Sequence, residues 1–171
     1  SDVCSSDLSS VRKKTMDGLL IGRFQPFHLG HLDAVRFALT RVEKLYIGIG
    51  SSNRFNEKRN PFTAEERREM IESSLEKSQL EKCQIFFVPD VNDHERWTYH
   101  VDSIVPKYDL VFSNDDFTHK LYRKRGIEVI SVPLKQREIL SGTDIRQKMA
   151  CGQSWSEFVP KGTATVLLKI N

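Results

Sequence analysis

Two histidines bracket a glycine in His28-Leu29-Gly30-His31, and the string leading to them is Gly22-Arg23-Phe24-Gln25-Pro26-Phe27. Imidazole N–H groups and a guanidinium are side chains that hold phosphate and stabilise charge developing on it. Gly30 lets main chain and ligand approach where a side chain would obstruct. Pro26 fixes its own φ and biases Gln25 towards extended backbone, which stiffens the loop. One histidine in such a loop would read as an ordinary polar residue. Two around a glycine, with Arg23 beside them, point to a polyphosphate.

The neighbouring segments explain how these groups are positioned. The apolar run Leu19-Leu20-Ile21 comes just before, and Leu32, Val35, Leu39 and Val42 follow at helical spacing. Strand, tight loop and helix in that order open a nucleotide-binding α/β unit, whose helix N-terminus attracts phosphate. A second such helix start lies at Leu140-Ser141-Gly142-Thr143-Asp144-Ile145-Arg146, before a helix through Ile145 and Met149. Ser or Thr before a helix is commonplace as a cap. Arg146 on the first turn aims at whatever that cap region binds. Two loops of this kind in one chain are much stronger evidence together than either alone.

Between them the spacing predicts strands at 45–50, 84–88, 109–113 and 127–132. Helices follow Thr63, whose pairing with Glu66 forms a capping box, and extend from Trp97 to Pro106 and through Phe117, Leu121 and Tyr122. Trp155, Phe158 and Val159 read as core cover. The last stretch, 164–170, is ambiguous between strand and helix. This alternation predicts one α/β Rossmann-like domain, a parallel sheet of about five strands with helices on both faces. Lys58 and Arg59 lie in a polar loop, where basic residues are commonly solvated, though either could reach an anion in the crevice. Trp97, at a helix start after the polar stretch 90–96, reads on its own as core packing.

The chain has 171 residues, 29% charged and 39% hydrophobic, with a net charge of +3. These totals suit one globular domain and do not demand nucleic acid or an anionic membrane. No apolar run reaches the length of a membrane span. Cys4, Cys83 and Cys151 lack metal-type spacing, and an odd, sparse set suits reduced thiols in the cytoplasm. Residues 1–15 are Ser-rich and without periodicity, and read as a disordered or appended tail to a domain covering 16–171.

The string from Gly22 to His31 resembles the first motif of the archaeal-type nicotinamide-nucleotide adenylyltransferases, in the HxGH nucleotidyltransferase superfamily. The segment Arg59-Asn60-Pro61-Phe62-Thr63-Ala64-Glu65-Glu66-Arg67 is similar to the family's second motif, and the segment around Ser141 to its ATP signature. The resemblance implies transfer of the adenylyl group of ATP to nicotinamide mononucleotide, giving NAD and pyrophosphate without a covalent enzyme intermediate. It implies His28, His31, Arg23 and Arg146 as catalytic residues. ATP would be bound by Gly22, Arg23, Phe24, His28, Gly30, His31, Asn114, Ser141, Gly142, Thr143 and Arg146. The nicotinamide nucleotide would meet Arg59, Asp90, Val91, His94 and Trp97, with the indole stacked on the pyridinium. His94 stands where some relatives carry Asn.

The resemblance further implies Mg2+ bridging substrate phosphates without a protein cage, and a homo-oligomer, by family a hexamer. Two rival readings are an adenylyltransferase for another phosphorylated acceptor, such as phosphopantetheine or FMN, and a module that senses NAD or ATP without turnover. A tRNA-linked role is disfavoured because the chain has no Lys-rich KMSKS-like loop.

Overall fold

The computed structural model describes residues 15–133 and 141–170. The expected tail, Thr15 apart, therefore lies outside the described residues, as do Cys4 and Leu140. Five strands form one sheet: β1 (Asp17–Gly22), β2 (Lys44–Gly50), β3 (Cys83–Val88), β4 (Leu110–Phe112) and β5 (Glu128–Ile130). Helices α1 (Leu29–Leu39), α2 (Ala64–Ser74), α3 (Lys77–Leu80), α4 (Trp97–Asp102), α5 (Asp116–Lys124), α6 (Gly142–Ala150) and α7 (Lys161–Ile170) connect and cover them. All strand pairs are parallel, and the order is β3-β2-β1-β4-β5.

That order has a functional consequence. The chain builds outward from β1 through β2 to β3, then returns to β4 on the other side of β1. The crevice outside the carboxyl ends of β1 and β4 is thus a topological switch point, where ligands of such sheets bind.

Alternation along β1 sends Leu19 and Leu20 to opposite faces. Leu20 joins a core with Leu32, Val35 and Ala38 of α1, Met70 and Ile71 of α2, and Val166 and Leu167 of α7. Leu19 joins a second core with Val101 of α4 and Tyr122 of α5. Helices therefore cover both faces, as the alternating pattern predicts.

The structure refines several boundaries. α2 ends at Ser74, and Leu75 is extended before the short α3 begins behind Glu76, whose backbone N–H donates to Gln79 Oε1 at 2.9 Å. α4 ends at Asp102, three residues before Val105, because Ser103 closes it and its hydroxyl donates to His100 O at 2.6 Å. β4 and β5 are three residues each, shorter than expected. The ambiguous last stretch is helical. Trp155 packs on the first core and Val159 is buried, while Phe158 is half-buried with the Lys148 ammonium 5.7 Å from its ring centre. Cys83 and Cys151 are free thiols. Among the described residues no helix is long and apolar enough to cross a membrane.

Candidate nucleotide-binding site

β1 ends at Gly22 and the chain turns sharply into α1. Phe24 takes a positive φ of 54° and is 1% exposed, with Phe27 buried beside it. A left-handed non-glycine residue is held there by its surroundings, and the two rings anchor the loop from below. The Phe24 side chain belongs to the core.

His28 is the N-cap of α1, and its Nδ1 accepts the Gly30 N–H at 3.1 Å. The His28 N–H in turn donates to His31 Nδ1 at 3.2 Å. A ring nitrogen that accepts from a backbone N–H carries no proton, so each neutral imidazole is assigned its proton on Nε2. The rings stack with centres 3.7 Å apart, and His31 also lies edge-on to Phe24 at 4.8 Å. Burial pushes the His28 pKa down to about 4. Burial and then the nearby His28 hold His31 well below its ordinary value, against the opposite pull of the Pro26 backbone. At neutral pH both rings of the pair are therefore uncharged.

The lowered pKa of His28 makes stability depend on pH. His28 in the folded chain binds fewer protons than in the unfolded chain between pH 6.5 and about 4. Its contribution to stability is thus fully present above pH 6.5 and is lost as pH falls through that window. Urea midpoints should fall between neutrality and about pH 4.5. His28→Asn, which keeps a capping acceptor, should show a smaller fall. An identical fall in the variant would mean that other groups carry it.

The second helix start meets this loop directly. Ser141 caps α6, exchanging hydrogen bonds with Asp144: its Oγ accepts from the Asp144 N–H at 3.2 Å and donates to Oδ2 at 2.9 Å. Arg146 donates from Nη1 to Gln25 O at 2.8 Å and from Nη2 to Thr143 Oγ1 at 3.2 Å. A Cβ on Gly142 would come within 3.0 Å of Arg146 Nη1 and 3.4 Å of Gln25 O. Glycine there lets the helix start close on the first loop.

A third wall comes from the segment between β2 and α2. Arg59, exposed, lines a groove of about 860 Å³ together with Lys58, Thr143 and Arg146, over a floor that includes Pro61, Phe62, Met149 and Trp155. Arg23 reaches the same segment, with Nη1 3.5 Å from Asn60 Oδ1. Burial lowers the Arg146 pKa, and the positive charges of Arg23 and Arg59 lower it further. None of these three arginines is paired with a carboxylate among the described residues. Converging guanidiniums without counterions form a site for a multiply charged anion.

Other expected residues stand apart from that groove. Asp90 accepts from Ser51 Oγ at 2.7 Å just beyond β3; Val91 is half-buried and His94 exposed. Trp97 is half-buried, edge-on to Tyr122 at 6.4 Å, beside Ile21, Phe112 and Ser113 at the strand ends. It packs on the second core, as its sequence position alone suggests, and lies at the switch point. The Asn114 side chain is committed to the exit of β5: Nδ2 donates to Val132 O at 2.9 Å and Oδ1 accepts from Val132 N at 2.7 Å.

Sequence reasoning missed Gln25. Its buried amide clamps Phe62, donating to its O at 3.1 Å and accepting from its N–H at 2.9 Å. It likewise missed the buried Arg67. The available signal was an arginine sharing a helix face with Met70 and Ile71.

The switch-point crevice is thus flanked by two helix starts, arginines and paired imidazoles, groups whose chemistry suits a polyphosphate. Known proteins resemble the chain in sequence and in fold. The cytidylyltransferase-like family model matches residues 19–148. The nicotinamide-nucleotide adenylyltransferase of Thermococcus onnurineus is 42% identical over 154 residues, covering 90% of this chain and 82% of that protein. The same enzyme of Thermoplasma acidophilum is 39% identical, covering 93% and 89%. A crystal structure of a bifunctional NMN adenylyltransferase/ADP ribose pyrophosphatase from Francisella tularensis, complexed with AMP and a manganese ion, superposes with a TM-score of 0.67 at 25% identity. That match takes in 85% of this chain and 44% of the bifunctional one. The chain belongs to the cytidylyltransferase-like nucleotidyltransferases and, among them, to the archaeal-type nicotinamide-nucleotide adenylyltransferase family.

Proposed function

We propose that this chain transfers the adenylyl group of ATP to nicotinamide mononucleotide, giving NAD and pyrophosphate. The observation that carries the reading is the Arg146–Gln25 contact at 2.8 Å, which joins the two phosphate-ready helix starts into one site. A phosphate oxygen of the mononucleotide attacks the α-phosphorus of ATP in line. The bond from that phosphorus to the bridging oxygen breaks, and pyrophosphate leaves with the electron pair. No side-chain nucleophile and no proton relay is required, so positioning and charge stabilisation are the catalysis.

In this reading His28 and His31 donate Nε2–H to oxygens of the α- and β-phosphates. Arg23 and Arg146 grip the polyphosphate, helped by Gly22, Phe24 and Gly30 through their backbones and by the start of α6 at Ser141, Gly142 and Thr143. Asn114 borders the ATP on the β4 side. Arg59 takes the mononucleotide phosphate, with Asp90, Val91, His94 and Trp97 around the ribose and the nicotinamide. Among the described residues no group of three or more His, Cys, Asp or Glu is arranged to hold a metal ion. The groove presents N–H donors, which suit phosphate, so Mg2+ would be carried on phosphate oxygens and water, neutralising triphosphate charge. The same reading gives a homohexamer in the cytoplasm.

Release of pyrophosphate from ATP in a screen of acceptors tests the assignment. Nicotinamide mononucleotide should support release, and phosphopantetheine and FMN should not. Release with either of those two alone would overturn it. Arg59→Lys keeps the charge and removes the planar fork. It should raise the KM for the mononucleotide about three- to tenfold, up to roughly 1.4 kcal/mol, with little change in that for ATP. An unchanged KM would make Arg59 a solvated loop residue.

A further inference from the structure

Arg67 lies on the core-facing side of α2, is 0% exposed, and has no carboxylate partner among the described residues. A guanidinium has five N–H donors, and all five meet backbone carbonyls here. Nε donates to Thr63 O at 3.1 Å, Nη1 to Arg23 O and Gly50 O at 2.9 Å each, and Nη2 to Ser51 O and Arg54 O at 3.2 Å each. Burial lowers its pKa to about 10, so it remains a cation at neutral pH.

Burying a charge without an opposite charge is costly, and an apolar residue beside Met70 and Ile71 would fill the space more cheaply. What the guanidinium supplies instead is connection. It draws together the end of β1, the end of β2 and both ends of the segment running from Ser51 to Thr63. Arg23 is carried on the first of these, and Arg59 lies within the last. Ser51, held by its own carbonyl, donates its hydroxyl to Asp90 at 2.7 Å. One buried side chain therefore fixes the backbone under groups assigned to both nucleotides, with most of its bonds on the acceptor side.

We infer that Arg67 is a positioning residue for the transfer, setting the Arg59 segment against the strand end that bears Arg23. The inference rests on the proposed reaction for its functional sense. Arg67 touches neither substrate. It acts through carbonyls that only a planar, five-donor group can gather, since lysine offers three donors on one atom.

The test uses Arg67→Lys and Arg67→Gln in the full chain, with circular dichroism to establish folding at room temperature. Displacements of about 1 Å in a positioned group cost up to roughly a hundredfold in rate. Arg67→Lys should therefore raise the KM for nicotinamide mononucleotide about ten- to a hundredfold and leave that for ATP within about threefold. Calorimetric titration with each nucleotide should show the same split in Kd. Arg67→Gln, which loses the charge as well, should be at least as impaired. Unchanged constants in folded Arg67→Lys would overturn the inference, as would equal weakening of both nucleotides. Failure of both variants to fold would make Arg67 a residue of folding alone and would overturn it too. If the parent protein forms no NAD, the proposed reaction falls, while the calorimetric split still judges Arg67.

Discussion

Replacing His31 with alanine should lower kcat by about a hundred- to a thousandfold while leaving a folded protein that still binds ATP. A preorganised donor aimed at charge that grows in the transition state is typically worth about 2.7–4 kcal/mol. Ground-state ATP keeps the helix N-terminus, Arg23 and Arg146, so its affinity should fall far less. The geometry adds a second element to this expectation. His31 Nδ1 accepts the His28 N–H at 3.2 Å, and the two rings stack at 3.7 Å. Alanine thus removes one donor and also frees its neighbour, and loss of that cap contact should cost about 1 kcal/mol of stability. His31→Asn is the informative companion. Its carbonyl oxygen can accept from His28 N and its amide can still donate, so part of the rate should return. Recovery by Asn would show that hydrogen bonding rather than positive charge matters, in keeping with the depressed pKa values of the pair. Turnover of His31→Ala at the parental rate, or a loss confined to the KM for ATP, would pass the role to His28 and the arginines.

Gly162→Ala should destabilise the whole domain. Helix propensity alone favours alanine by about 1 kcal/mol. A Cβ at this position, however, would stand 2.3 Å from both C and O of Ser73 and 2.6 Å from Ser74 N. Those are backbone atoms of α2, which cannot rotate aside as a side chain can. α7 would have to lift from α2, disturbing Val166, Leu167 and the Ser74–Thr163 hydroxyl contact at 3.2 Å. Overpacking of this kind costs about 1–3 kcal/mol. For a chain of this size each kcal/mol lowers Tm by about 2–4 °C. A Tm equal to the parent's or higher would show that α7 is not seated on α2 as described. Because α2 carries Arg67 at the back of the site, a loosened α2 should also weaken mononucleotide binding.

Most of the fold was legible because strands buried on both faces read as near-continuous apolar runs. Leu45 to Gly50 and Leu19 to Ile21 could hardly be anything else. The two helix starts were legible for a similar reason, since Gly30 and Gly142 occur with capping and basic residues within a few positions. Less was visible where a residue's partner is distant in sequence. Gln25 and Phe62 clamp each other across 37 positions, and Arg67 reaches back 44 to Arg23. Nothing local marks Gln25, and the only local mark of Arg67 is the helix face it shares with Met70 and Ile71. Asn114 is a related case, since nothing local signals that Val132, 18 positions on, holds both ends of its amide. The short β4 and β5 were overestimated because apolar flanks such as Ile127 pack on the core without pairing in the sheet.

In the proposed reaction ATP and nicotinamide mononucleotide meet at one switch-point crevice and react by direct attack. Mass spectrometry of the products from these two substrates with Mg2+ tests it most directly, with the mononucleotide phosphate labelled with 18O. NAD and pyrophosphate should form in equal amounts, with the label retained in the NAD diphosphate. ATP left intact, or AMP and pyrophosphate released without NAD, would contradict it.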